Sequence, residues 1–127
     1  MTTKSICGVI IAAKDPMALA DFYGKVLGLR FEEEDHGGLD IHYGVDIGSV
    51  HFGIHPPTNL NMDKIGNASM AIAFNVESVT ATQAILKELD AEQVTEAHDE
   101  GFGMTTSYRD PEGNQFEIVE LNHQFKA

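Results

Sequence analysis

The 127 residues fit one compact domain, and an apolar share of 43% with 22% charged residues is ordinary for a globular chain. Eight lysines and arginines against twenty aspartates and glutamates give a net charge of −12. That charge repels phosphate backbones and anionic lipid, which excludes nucleic acid and membrane surfaces as partners and favours a cationic or neutral small molecule, or another protein. A single cysteine, Cys7, rules out an internal disulfide and suits a reducing cytoplasm. The early apolar run, Ile6 to Ala13, is too short to span a bilayer, and the chain reads as a cytoplasmic protein.

Ile6 to Ala13 is short and β-branched and predicts a buried strand. Asp15-Pro16 predicts a helix start: the aspartate accepts from orphan amides, and proline fits the first helical position, where no N–H is needed. Leu19, Phe22, Tyr23, Val26 and Leu27 form a helical stripe that Gly28 ends, with Leu29 folding back. A strand over Leu29–Glu34 follows, then a turn at His36-Gly37-Gly38. A hairpin of Ile41–Val45 and Ser49–His55 closes around Asp46-Ile47-Gly48.

The polar, proline-started stretch 57–65 predicts a linker. After it the order repeats: a strand over Ser69–Val76, a helix over Val79–Leu89 capped by Ser78 or Thr80, and a strand from Val94. A loop over Glu96–Gly103 then leads to a hairpin of Met104–Arg109 and Gln115–Leu121. An offset of 63 aligns Gly8 with Ala71, Asp15 with Ser78 and Phe22 with Ile85. The repeat lies in pattern more than in identity. The predicted architecture is therefore α+β, two βαβββ modules (1–56 and 66–127) in a single domain spanning 1–127.

Two motifs carry a family resemblance. Asp15-Pro16 followed by Phe22-Tyr23-Gly24-Lys25-Val26-Leu27-Gly28-Leu29, and Asp110-Pro111-Glu112-Gly113-Asn114-Gln115-Phe116-Glu117, resemble the first-helix and last-hairpin signatures of the vicinal oxygen chelate superfamily. That group includes glyoxalase I, bleomycin-resistance proteins and extradiol dioxygenases. The resemblance implies sheets rolled into a half-open cup with helices outside, a small-molecule site in the cup, and a homodimer. It does not choose among chemistries, because one fold hosts many.

The resemblance also implies where a divalent metal belongs: one ligand from the first strand and one from the last strand of each module. Here the first-strand positions are Gly8 and Ala71, neither with a donor atom, while Glu117 matches the last-strand position of the second module. Counting from the turn glycines would put Phe52 at the remaining position. Face alternation instead sets His51, Gly53 and His55 on the side of Glu117, so His51 is the expected residue. The metal set thus reduces to His51 and Glu117, and the expectation is a cup without the usual metal, with no cofactor. A divalent ion completed by His36, His42 or Tyr108 is the other option.

If Arg109 pairs with Asn114, Thr106 falls opposite Glu117, and Tyr108 shares its face. Glu117, His51, Thr106 and Tyr108 are therefore the expected ligand-binding residues, with Glu117 the expected catalytic base if the protein is an enzyme. The acidic run Glu32–Asp35 reads as a solvated edge, and His42 and His55 as rim residues. Three functions stay open: a glyoxalase/bleomycin-resistance-like binder of a small, cationic molecule; a lyase, isomerase or dioxygenase on an oxygen-rich substrate; and a structural or interaction domain.

Overall fold

The structure, a computed structural model, describes residues 2–35, 38–60 and 70–122. Its elements run β1 (Gly8–Ala12), α1 (Pro16–Leu27), β2 (Glu32–Glu34), β3 (His42–Ile47) and β4 (Val50–His55). A 3-10 turn (Pro57–Asn59) follows, then β5 (Ile72–Asn75), α2 (Val79–Glu88), β6 (Gln93–Asp99), β7 (Gly103–Arg109) and β8 (Gln115–Leu121). The βαβββ order occurs twice. Each module forms a four-stranded sheet, ordered β1-β4-β3-β2 and β5-β8-β7-β6, in which the first and last strands pair in parallel and the other pairs are antiparallel. The α+β duplication expected from the sequence is the fold observed. The predicted linker opens with the 3-10 turn, and its remainder lies outside the described residues.

Local chemistry sets the helices. Asp15 Oδ1 accepts from Ala18 N at 3.1 Å with Pro16 at the first helical position, and Gly28, at φ 66°, takes the left-handed conformation that ends α1. Of the two candidate caps for α2, Ser78 is the one used, its Oγ accepting from Ala81 N at 3.0 Å. One prediction fails here: Glu96–Asp99, expected as loop, extends β6, which pairs with β7 through two register shifts. Those irregularities break the apolar–polar alternation by which a strand is recognised in sequence.

The helices cover one side of both sheets, and the core lies beneath them. Phe22 and Tyr23 of α1 meet Phe52 of β4, Phe74 of β5 and Phe116 of β8 in edge-on and tilted contacts, with Leu19, Ile54, Leu86 and Ile118 filling in around them. Polar contacts also join the modules. Tyr23 Oη donates to Asp110 Oδ2 at 2.7 Å, and the Glu112 carboxylate accepts from Lys14 N at 2.8 Å and Asp15 N at 3.3 Å. The apolar positions of the inner strands are spent on this side, which leaves the polar positions of the same strands on the other.

Candidate functional site on the open face of the sheets

On the face turned away from α1, the register brings four ionisable side chains of the first module together. His51 of β4 lies beside Asp46 of β3, and Glu34 of β2 beside His42 of β3. His51 Nδ1 is 2.8 Å from Asp46 Oδ1 and its Nε2 3.3 Å from Glu34 Oε1, while His42 Nε2 lies 3.9 Å from that same oxygen. The His55 ring stacks on His42 with centroids 4.0 Å apart. Because a carboxylate and a carbonyl only accept, both Nδ1 atoms here carry hydrogen: that of His51 donates to Asp46, and that of His42 donates to Asp40 O at 2.9 Å. His55 is held the opposite way. Asn59 pairs with the Asp40 backbone through both ends of its amide, so its Nδ2 donates, and His55 Nδ1, 3.1 Å away, accepts. The hydrogen bond that His51 donates to Asp46, supported by the charges of Glu34 and Asp46, raises the His51 pKa above that of a free imidazole, against a smaller opposing effect of burial.

His42 and His55 are therefore not the rim residues expected from sequence; they are 2% and 8% exposed. Glu34 departs in the same way from its solvated acidic run, with a side chain only 25% exposed. Alternation along β2 turns Glu34 inward, and no feature of a four-residue acidic run announces which member does so.

The same face of the second module is lined by hydroxyls and one carboxylate. Glu117 of β8 has Ala73 on one side and Ser107 on the other. Ser107 Oγ is 2.7 Å from Thr95 Oγ1 of β6, and Thr105 and His98 pair one step along. Glu117 is half-buried and makes no hydrogen bond among the described residues. His98 is raised above the free-imidazole value by its bond to Glu96 O and its contact with Glu100, with Glu117 adding to the same effect.

Two expected ligand-binding residues are misplaced by the sequence reading. Arg109 pairs with Gln115, not Asn114, so Ser107 stands opposite Glu117, and Thr106 and Tyr108 point to the helix side. The Asp110 side chain causes the shift: Oδ1 accepts from Glu112 N and Asn114 N, each at 2.9 Å, and closes a turn one residue longer than the expected register needs. Thr106 is buried against β6, its Oγ1 donating to Thr95 O at 2.7 Å. Tyr108 stacks on Phe116, accepts from Gln83 of α2 at 3.1 Å and borders a groove of about 540 Å³ between α2 and β6–β7.

The counterpart of Glu117 is corrected as well. Ala13 N donates to His55 O just as Val76 N donates to Val119 O, so His55 corresponds to Val119 and Gly53, not His51, corresponds to Glu117. His51 and Glu117 both lie on the open face, but His51 bonds to β2 and β3. At the four positions where the resemblance implies metal ligands stand Gly8, Gly53, Ala71 and Glu117, a single donor, so the family's metal does not fit there. Among the described residues, no group of three or more His, Cys, Asp or Glu side chains could hold a metal ion. His36, weighed from sequence as a further ligand, lies outside the described residues.

Comparison with known proteins agrees with the fold. Residues 6–118 match the family model for the glyoxalase/bleomycin resistance protein/dioxygenase superfamily. TnmS3, an antibiotic binding protein from Streptomyces sp. CB03234, superposes with a TM-score of 0.75 at 17% identity, covering 96% of this chain and 99% of its own. The oxidase ChaP-H2 gives 0.74 at 20% identity over 95% and 96%, and a glyoxalase/bleomycin resistance protein/dioxygenase family enzyme from Burkholderia phytofirmans PsJN gives 0.72 at 19% over 91% and 98%. Identities this low speak to the fold alone. No curated protein matches the chain.

Proposed function

Since the chain belongs to the glyoxalase/bleomycin resistance protein/dioxygenase superfamily, we propose that it is one of the superfamily's binders, holding a small cationic molecule on the open face of its sheets with no metal at the family's four positions. One observation carries this reading: Glu117 is a half-buried carboxylate with no hydrogen bond among the described residues, set among the hydroxyls of Thr95, Thr105 and Ser107. A carboxylate in that setting favours a bound cation or a hydrogen-bond donor. The net charge of −12 draws a cation toward it, and a likeness in fold to an antibiotic binding protein is in keeping with such a role.

The binder is proposed to act as a homodimer in the cytoplasm. The edge strand β6 is exposed along its whole length, and its unpaired side and the open faces are surfaces that a second copy would cover. Cys7 is exposed and unpaired, in keeping with a reducing compartment. Among the described residues, no helix is long and apolar enough to cross a membrane.

Calorimetry with a metal-free, cationic bleomycin-class glycopeptide, beside a neutral antibiotic of similar size, tests the reading. The expected result is binding of the cationic compound that weakens with salt and falls at least roughly tenfold in Glu117→Gln, as for loss of one charged hydrogen bond. Equal affinity in wild type and variant, or no salt dependence, overturns it. Sedimentation at micromolar concentration tests the dimer.

A further inference from the structure

We propose that the groove between α1 and the edge of the first sheet is a binding site for a small aromatic carboxylate, its ring lying on Met17, Phe31 and Tyr43 and its carboxylate pairing with Arg30. The groove is on the helix side of β2 and β3, across the sheet from the open face, so the inference does not rest on the ligand-binding reading above.

Three features carry it. The first is shape and lining. The groove has a volume of about 350 Å³, at the small end of sites that hold organic molecules. Its apolar walls are Met17 of α1, Leu29 and Phe31 of the segment entering β2, and Tyr43 of β3. Gly24 keeps the helix wall low beside them: a Cβ there would stand 3.0 Å from Leu29 O. Phe31 meets Phe52 edge-on with ring centroids 5.6 Å apart, and Tyr43 packs against the same core, so packing fixes both rings. Met17 is 62% exposed, which leaves apolar surface open at the groove.

The second is charge. The lining holds two cations, Lys25 and Arg30, against one carboxylate, Asp21. Lys25 is paired with Asp21 at 3.7 Å, whereas Arg30 makes no hydrogen bond or ion pair among the described residues. A free guanidinium fork matches a carboxylate with two parallel hydrogen bonds. The Tyr43 hydroxyl also makes no hydrogen bond among the described residues and is a further donor. Glu33, level with Tyr43 on the β2–β3 ladder, is exposed and lies outside the lining. The remoter charges behind the net −12 are screened beyond about 8 Å at physiological salt.

The third is the contrast between the modules. The offset that aligns the helix caps Asp15 and Ser78 sets Thr80 at the position of Met17 and Gln93 at that of Arg30. The corresponding groove of the second module is lined by these polar residues, and the Gln93 amide is spent on Thr95 O and Thr106 Oγ1. The duplicated fold therefore needs neither an exposed apolar shelf nor a free guanidinium at this place, and among the described residues only the first module has them.

The test is titration of the full chain with naphthoate, followed by calorimetry and by methyl NMR of Met17, beside neutral naphthamide and cationic naphthylmethylammonium. Naphthoate should bind saturably, one per chain, more weakly as salt rises, and should shift the Met17 methyl signal. Naphthamide should bind at least roughly tenfold more weakly, and so should naphthoate to Arg30→Gln, as for loss of one charged hydrogen-bonded pair. Arg30 is exposed, and circular dichroism checks that the variant keeps its fold. The assignment is overturned if naphthoate does not bind at millimolar concentration, if Arg30→Gln binds it as wild type does, or if the amide or the ammonium compound binds as tightly. It is equally overturned if the shifts centre on Thr105, Ser107 and Glu117 instead of Met17, Phe31 and Tyr43.

Discussion

The hydroxyl of Tyr23 in α1 donates a 2.7 Å hydrogen bond to Asp110 in the β7–β8 turn, 87 residues away and buried. The same carboxylate shapes the turn through Glu112 N, Asn114 N and the Asn114 amide. One residue thus sets the hairpin register and ties that hairpin to the helix of the other module. Tyr23→Phe should cost about 1.5–3 kcal/mol, the worth of a hydrogen bond to a charged group, and Asp110→Ala should cost more because the Tyr23 hydroxyl, Glu112 N, Asn114 N and Asn114 Nδ2 all lose their acceptor. Urea unfolding of the two variants checks the ranking, and equal losses would refute it.

Burial, then the nearby Asp110 charge, pushes the Tyr23 phenol far above its ordinary value. A group whose pKa is raised by folding stabilises fully below its unfolded value and loses that contribution as pH rises beyond it. For tyrosine, the loss begins near pH ~10. Ultraviolet titration should show a phenol in wild type, absent from Tyr23→Phe, that stays protonated well above pH ~10, and stability should fall across that alkaline range in wild type but less steeply in Tyr23→Phe.

Gly44→Ala places a methyl group against Glu34 Oε1 and His51 Nε2. Overpacking of this kind costs about 1–3 kcal/mol where neighbours cannot yield. Glu34 lies at a sheet edge, so Gly44→Ala combined with Glu34→Ala should recover much of the loss. Thermal melts of the single and double variants measure the coupling, and strict additivity would show that the two residues do not meet.

The ring of His51 should titrate above the usual histidine midpoint of ~6.5, chiefly because of its hydrogen bond to Asp46. Its stabilising contribution is complete below the unfolded value and disappears as pH climbs through the folded one. Proton NMR of the His51 Cε1–H signal checks this, with Asp46→Asn moving the midpoint down. An unmoved midpoint would assign the shift to another cause.

Tyr108→Phe removes only the hydroxyl that accepts from Gln83 on the helix side. It should cost about 0.5–1.5 kcal/mol of stability and leave binding of the cationic ligand intact, while Glu117→Gln weakens that binding. Parallel denaturation and calorimetry distinguish the two, and impaired binding in Tyr108→Phe would return that residue to the site.

Local interactions made much of this protein legible in its sequence. Asp15-Pro16, Gly28 and Ser78 mark helix ends through contacts within a few residues, and the spacing of Leu19, Phe22, Tyr23 and Val26 records a buried helical face. Alternation along β4 and β8 separated Phe52 and Phe116 from His51 and Glu117, because side-chain period is intrinsic to a strand.

Relations between strands belong to the tertiary structure. Whether Thr106 or Ser107 faces Glu117 depends on how Asp110 closes a turn, and a shift of one residue exchanges the two faces. That Gly53 is the counterpart of Glu117 follows from parallel pairing with β1 and β5, a register no turn specifies. The meeting of Glu34, His42 and His51 requires three strands laid side by side, and Gly44 matters only because two side chains converge above it. Periodicity in one dimension reports which side of a strand a residue takes; only the pairing of strands decides which residues become neighbours.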